Sequence, residues 1–155
     1  MPAFPWQASH AVWHDVSRLL LAYVLALPVG WHREQQFHTI GLRTFPLVAI
    51  ASCGYILLST APGMGPDAQS RIIQGLVAGI GFIGGGAILK DGATVHGAAT
   101  AASIWNTGVI GAAVALGKYD IACILAVLNG FTLLYLGRLK RRLAEADTAE
   151  LPKKS

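Results

Sequence analysis

The stretch GLVAGIGFIGGGAILKDG, residues 75–92, combines an apolar composition with glycine at almost every turn of a predicted helix. In water, each glycine inside a helix costs about 0.5–1 kcal/mol relative to alanine. In a bilayer this cost is offset, because glycine lets two helices approach closely. We therefore expect a membrane helix with a small-residue packing surface. The glycines of this surface are Gly75, Gly79, Gly81, Gly84, Gly85 and Gly86.

The composition of the whole chain also indicates a membrane protein. Of its 155 residues, 54% are hydrophobic and 13% are charged, whereas an average soluble domain has about 25% charged residues. Five helices of about 20 residues would use most of this length and leave no room for a separate soluble domain. The fold class we expect is all-α, a polytopic transmembrane bundle of about five helices.

The apolar runs and the turn signals between them give the boundaries of the expected helices. Residues 1–12 are expected to form an extracytoplasmic segment, 13–137 the transmembrane domain and 138–155 a basic cytoplasmic tail. Trp13 and Trp31 are about 27 Å apart on a helix and are expected at the two membrane interfaces. The five spans are predicted at residues 13–31, 44–61, 71–89, 98–116 and 121–137.

The distribution of basic residues indicates the orientation. Half of the 12 Lys and Arg residues lie in the tail, which makes the net charge of +4 a topology signal rather than a sign of nucleic-acid binding. The positive-inside rule places the N-terminus outside and the C-terminus in the cytoplasm of a bacterial inner membrane, with only Arg18, Arg71 and Lys118 towards the outside. Alternatively, the first apolar run is a signal peptide, because Arg18 precedes it.

Few residues are candidates for metal or catalytic chemistry. Cys53 and Cys123 lie in apolar runs without metal-ligand spacing, and we expect no disulfide between them. His10 and His14, beside Asp15, would form a metal-binding pair only on a helix, and we favour no metal there. The sequence has no catalytic triad or acidic dyad, and the glycine run lacks the Lys-Ser/Thr ending of a phosphate-binding loop. We therefore expect no enzyme and no cofactor.

Three motifs in residues 18–44, 67–92 and 95–117 together resemble the MgtC/SapB family of bacterial membrane proteins. The motifs are RLLLAYVLALPVGWHREQQFHTIGLRT, DAQSRIIQGLVAGIGFIGGGAILKDG and VHGAATAASIWNTGVIGAAVALG. His32 and Phe45 depart from the family pattern, which usually has Glu and His there. The resemblance implies the short form, without a C-terminal cytoplasmic domain, and a role in growth at low magnesium and survival in hosts. It implies no enzymatic activity.

Charged residues are predicted at both membrane interfaces. Glu34, Arg43, Lys90 and Asp91 are expected at the cytoplasmic ends of the spans, as helix anchors in which acids and bases pair across short loops. For Arg43, which stands in the Gly-Leu-Arg-Thr of the resemblance, we favour an essential role, because its guanidinium can clamp a carboxylate or a phosphate.

At the other interface, Asp67 and Arg71 lie four residues apart at the start of the third span. They either stabilise the helix start or, with Asp67 and water as ligands, form an outward-facing Mg²⁺ site.

Polar residues within the spans have two interpretations. Gln74, Asn106 and Asn129 would form interhelical hydrogen bonds, which we favour; alternatively, Gln74 and Asn106 would form a transport site with Asp67 and glycine carbonyls. Residues 84–86 either belong to a close-packing surface or unwind to expose carbonyls to an ion. The small residues 98–103, in the helix that also carries the packing residue Trp105, offer a second small surface.

Two functions follow. The first is a regulatory role through association of the glycine face with a second copy or another membrane protein, in adaptation to low magnesium or envelope stress. The second is transport of an ion such as Mg²⁺, or of a small solute.

Overall fold

The computed structural model describes the backbone of residues 5–37 and 41–137 and the side chains of residues 12–31 and 41–137. Its helices confirm the expected all-α bundle of five. After the fifth helix the chain continues as one π-helical stretch, Thr132–Leu136. The helices are α1 (Pro5–Phe37), α2 (Thr44–Ser59), α3 (Pro66–Gly86), α4 (Ala98–Ala115) and α5 (Tyr119–Phe131).

Helix α4 is the centre of the bundle and packs against each of the other four helices. Glycine makes this close packing possible. A Cβ atom built on Gly111 would overlap the carbonyl oxygen of Ala49 in α2, and one built on Gly108 would overlap the end of the Ile80 side chain in α3. The sequence predicts close packing for the glycines of α3, whereas these two glycines of α4 stand in a segment whose pattern did not single them out.

Two apolar clusters hold the helices together. One contains Ala26, Cys53, Ile110 and Val114 and joins α1 and α2 to α4. The other surrounds Phe45, which is fully buried. Phe45 stands where the family resemblance has histidine, and its burial shows that this position is part of the apolar core here.

Within the described residues, three segments are long and apolar enough to cross a membrane: Val12–Trp31 of α1, Ala98–Ala115 and Tyr119–Leu136. Helix α2 is apolar and has 16 residues. Helix α3 has 21 residues, but polar residues in its first turns and its glycines make it less apolar. Trp13 and Trp31 are 71% and 59% exposed at the two ends of the first segment, as an interfacial aromatic belt requires.

The third span was predicted over residues 71–89, but α3 begins and ends earlier, at Pro66 and Gly86. The predicted end is wrong because Leu89–Asp91 (β1) pairs with Thr94–His96 (β2) in an antiparallel hairpin with a two-residue turn. Gly92 and Ala93 form this turn; glycine in the first position of a two-residue turn is a hairpin signal, and Gly92 has the positive φ, 57°, that this position needs. The long apolar run had hidden this signal.

The hairpin joins α4 at Gly97, which has a φ of +86°. A Cβ atom there would overlap the carbonyl oxygen of Ala87, just after α3. Two properties of glycine, its left-handed backbone and its lack of a side chain, are therefore both used at this one position. The basic tail, residues 138–155, lies outside the described residues.

Candidate functional site

One unusual surface of the described chain is the side of α3 that faces away from the bundle. Helix α3 packs inward through Ile80 and Gly84, both buried. We call the opposite side the outward face of α3, and all of its residues are exposed. It consists of Gly75, Ala78, Gly79, Phe82, Gly85 and Gly86.

The outward face is nearly flat, because all of its residues except Phe82 are glycine or alanine. A Cβ atom built on Gly75, Gly79, Gly85 or Gly86 would have no described atom of another residue within 4 Å. Phe82, in the middle of the face, is 85% exposed. The spacing 75, 79, 82, 86 alternates four and three residues, which is the spacing of a helix–helix seam. The face thus offers both a flat glycine surface and one aromatic knob.

Two further glycines of α3 lie outside this face: Gly84 faces the bundle, and Gly81 lies at the edge of the face. A Cβ atom on Gly84 would lie 3.2 Å from the carbonyl oxygen of Ala101, so Gly84 packs against the small residues at the start of α4. Gly81 is exposed at the edge of the outward face and contacts nothing within the described chain. Trp105 of α4 is 47% exposed and therefore lies at the surface of the bundle.

Residues 84–86 are helical, so the interpretation of unwound, ion-binding carbonyls is wrong. The carbonyl oxygen of Gly84 accepts a hydrogen bond from Ala87 N at 3.0 Å, and that of Gly85 accepts one from Ile88 N at 3.1 Å. Carbonyls that are engaged in the last turn of a helix are not free to replace the hydration shell of a cation.

The polar residues of α4 and α5 bond to each other. Ser103 Oγ donates a hydrogen bond to Asn129 Oδ1, and Asn129 Nδ2 donates to the carbonyl of Ser103 at 3.4 Å. Asn106 Nδ2 donates to the carbonyl of Leu125 at 3.3 Å. The favoured interpretation, interhelical hydrogen bonding, is confirmed for both asparagines. Gln74, in contrast, is exposed on α3.

The charged residues at the hairpin end are not brought together in pairs. Arg43, directly before α2, is exposed and its side chain does not cap that helix. Lys90 and Asp91 are exposed in β1. In the part of the chain that the structure describes, no ion pair joins these three residues. The side chain of Glu34 lies outside the described residues, and its pairing with Arg43 or Lys90 stays a prediction.

At the opposite end, Asp67 and Arg71 are exposed in the first turns of α3. Asp67 lies where the helix dipole favours an anion. Within the described ranges no group of three or more His, Cys, Asp or Glu side chains could hold a metal ion. The only ion pair in those ranges joins His14 Nδ1 to Asp15 Oδ1 at 3.8 Å, and His10 has no described side chain. Cys53 is buried and Cys123 exposed, and both are free.

Apolar helices of membrane length around a glycine-packed central helix, with asparagine side chains that form hydrogen bonds between helices, define a polytopic helical membrane protein. Residues 19–142 match the MgtC family over most of the chain, and the protein belongs to that family.

Several curated relatives are similar to this chain. Protein SrpB of Synechococcus elongatus is 36% identical over 137 residues, which cover 80% of this chain and 74% of SrpB. Protein MgtC of Salmonella typhimurium is 35% identical over 113 residues, 73% of this chain and 48% of MgtC. Protein MgtC of Brucella abortus is 32% identical over 114 residues, 74% of this chain and 48% of that relative. The chain thus spans about half the length of these MgtC proteins, and no solved structure matches it.

Proposed function

We propose that this protein is a regulatory membrane protein that acts by helix–helix association through the outward face of α3. Its partner is a second copy of the chain or a helix of another membrane protein, and its physiological role is adaptation to low magnesium or envelope stress. The observation that carries the proposal is the exposed glycine surface of a helix whose other side is already packed against α2 and α4.

The physical argument concerns what glycine does in lipid. Lipid tails are as apolar as the side chains that they contact, so helices associate in a bilayer by close van der Waals packing. A helix that only faced lipid could carry larger apolar side chains on this side, in place of Gly75, Gly79, Gly85 and Gly86. A second helix, in contrast, can approach such a surface closely, and Phe82 can insert beside the glycines of the partner.

The magnesium part of the proposal depends on the family. The proteins named MgtC that are similar to this chain are about twice its matched length. We place the protein in the bacterial inner membrane with the basic tail in the cytoplasm, on the charge asymmetry of the sequence. Transport has weaker support than association, because the glycine carbonyls and Asn106 are engaged within the bundle.

The test is self-association of two differently labelled copies in native membranes, measured by energy transfer. Gly79→Leu and Gly85→Leu should lower the transfer strongly, because leucine blocks close approach. Gly130→Leu is the matched control, since a Cβ atom on Gly130 of α5 also meets no described atom within 4 Å. The same variants should be compared for growth of the source bacterium at low magnesium.

If the energy transfer between labelled copies is equal in all three variants, association of copies through α3 is refuted. If self-association is absent from the wild type but growth at low magnesium fails only in the α3 variants, the partner is another membrane protein. If association falls and growth does not, the face has no role in magnesium adaptation.

A further inference from the structure

Arg18 is a charged residue within the apolar segment of α1, Val12–Trp31. Its side chain is partly buried, and its Nε atom is buried without a hydrogen-bond partner. The nearby Asp15 is exposed, and no ion pair joins it to Arg18 within the described residues. A buried donor that lacks an acceptor is unfavourable, and more so when it is charged. Because ionisable residues inside a membrane are expensive, an arginine in this position indicates an anionic partner.

The position of the guanidinium is set by the face of α1 that carries Arg18. At a spacing of four residues, Arg18 is followed by Ala22 and Ala26, which are both fully buried. Arg18 therefore lies at the end of the core-facing stripe of α1. Its guanidinium reaches the turn between α4 and α5, where a Cβ atom on Gly117 would be 3.8 Å from Arg18 Nη2.

This turn is suited to an anion on its α5 side. The amides of Gly117 and Lys118 donate to the carbonyls of Val114 and Ala113, which closes the end of α4. Helix α5 begins immediately afterwards at Tyr119, and the first amides of a helix lack intrahelical acceptors and attract negative charge. Lys118 adds a second cation, and the described acids of this end, Asp15, Asp67 and Asp120, are exposed, Asp120 in the first turn of α5.

The depth of Arg18 in the membrane matches the lipid head groups. Trp13, the interfacial residue, precedes Arg18 by five residues, or about 7.5 Å along the helix. Arginine can extend over this distance to the interface.

We propose that Arg18, beside the Gly117 turn, binds the phosphate of an anionic phospholipid at the membrane interface. The guanidinium supplies two parallel N–H donors, which suit a phosphate. Basic pockets between transmembrane helices are suited to lipid head groups. The depth of Arg18 favours a lipid over a free phosphate ion, because its guanidinium lies within reach of the head groups. The site involves α1 and the turn before α5, and it does not include the outward face of α3.

The test uses the full chain, freed of lipid in a neutral detergent, and measures binding by native mass spectrometry and by thermal stabilisation. Phosphatidylglycerol, phosphatidylcholine and inorganic phosphate are added separately. The wild type should bind phosphatidylglycerol most tightly, and Arg18→Gln should weaken this binding by about tenfold or more. Arg18→Lys should weaken it by less, because the charge remains but the paired donors are lost.

Two control variants show whether the loss of binding is specific to the Arg18 site. Arg71→Gln removes the same charge from an exposed position at the same end of the bundle, and it should leave the affinity unchanged. Asp15→Asn should leave or tighten lipid binding. If Asp15→Asn instead destabilises the lipid-free protein as much as Arg18→Gln does, Asp15 is the partner of Arg18 and the proposal is wrong.

Three further outcomes overturn the proposal. These are wild-type affinity in Arg18→Gln, equal losses in Arg18→Gln and Arg71→Gln, and equal stabilisation by inorganic phosphate and phosphatidylglycerol. The last result would assign a soluble phosphate to the site. If Arg18→Gln does not fold, the comparison of Arg18→Lys with the wild type decides, and unchanged affinity refutes the site. The binding is measured on isolated chains, so it is independent of association through α3.

Discussion

Helix α4 carries Gly108 and Gly111 on a face covered by α2 and α3, whereas α3 carries Gly75 and Gly79 on a face that no described part of the chain covers. Helix α3 contains six glycines and α4 contains two. In α4 the missing side chains let neighbouring helices of the same chain approach. On the outward face of α3 the same residue type makes no close contact with another helix of the described chain. The difference teaches that glycine content identifies a packing helix but not its partner.

The largest effect is expected at Gly97, where the hairpin that follows α3 meets the start of α4. Gly97→Ala should lower the free energy of unfolding in detergent by about 3 kcal/mol or more, since it combines a left-handed backbone with overlap of the Ala87 carbonyl. Gly92→Ala is the control that measures the cost of the left-handed backbone alone. Gly92 also has a positive φ, but its Cβ position is open. Equal losses in both variants would show that the overlap contributes nothing.

A smaller but still large effect is expected within α4 itself. Gly111→Ala should destabilise the monomer by about 1–3 kcal/mol, because the added methyl group meets the backbone of Ala49 and not a movable side chain. Gly130→Ala, at an open position of α5, serves as the control. Reversible unfolding of the two variants in the same micelles gives the comparison. If Gly111→Ala has the same free energy of unfolding as the wild type, α2 and α4 are not in close contact.

The hydrogen bonds between α4 and α5 are expected to contribute less. Asn129→Ala removes both contacts with Ser103 and should cost about 0.6–2 kcal/mol of monomer stability. Gln74→Ala, which removes an exposed amide from α3, should be neutral in the same unfolding measurement. If the two variants unfold alike, the buried polar contact is no more stabilising than an exposed amide.

The sequence predicts the membrane bundle well, because apolar runs such as residues 98–116 have the length and composition that a bilayer requires. It also predicts that Asn106 and Asn129 bond between helices, since a buried amide in lipid must find a partner. The hairpin at residues 89–96 was missed because its strands are short and continue an apolar run. The inner packing of Gly111 and the unpaired Arg18 depend on which helices become neighbours, and helix periodicity alone does not determine that.

The smallest effect on monomer stability is expected on the outward face of α3, and it separates folding from association. Gly79→Ala adds a methyl group where nothing lies within 4 Å, so the monomer should be unchanged or more stable by up to about 1 kcal/mol. Energy transfer between labelled copies, or capture of the partner membrane protein, should nevertheless decrease, because the methyl group widens the helix–helix approach. Gly130→Ala should give the same small change in stability and no change in association. A loss of monomer stability in Gly79→Ala would show that this face is covered within the chain, and the contrast between α3 and α4 would then disappear.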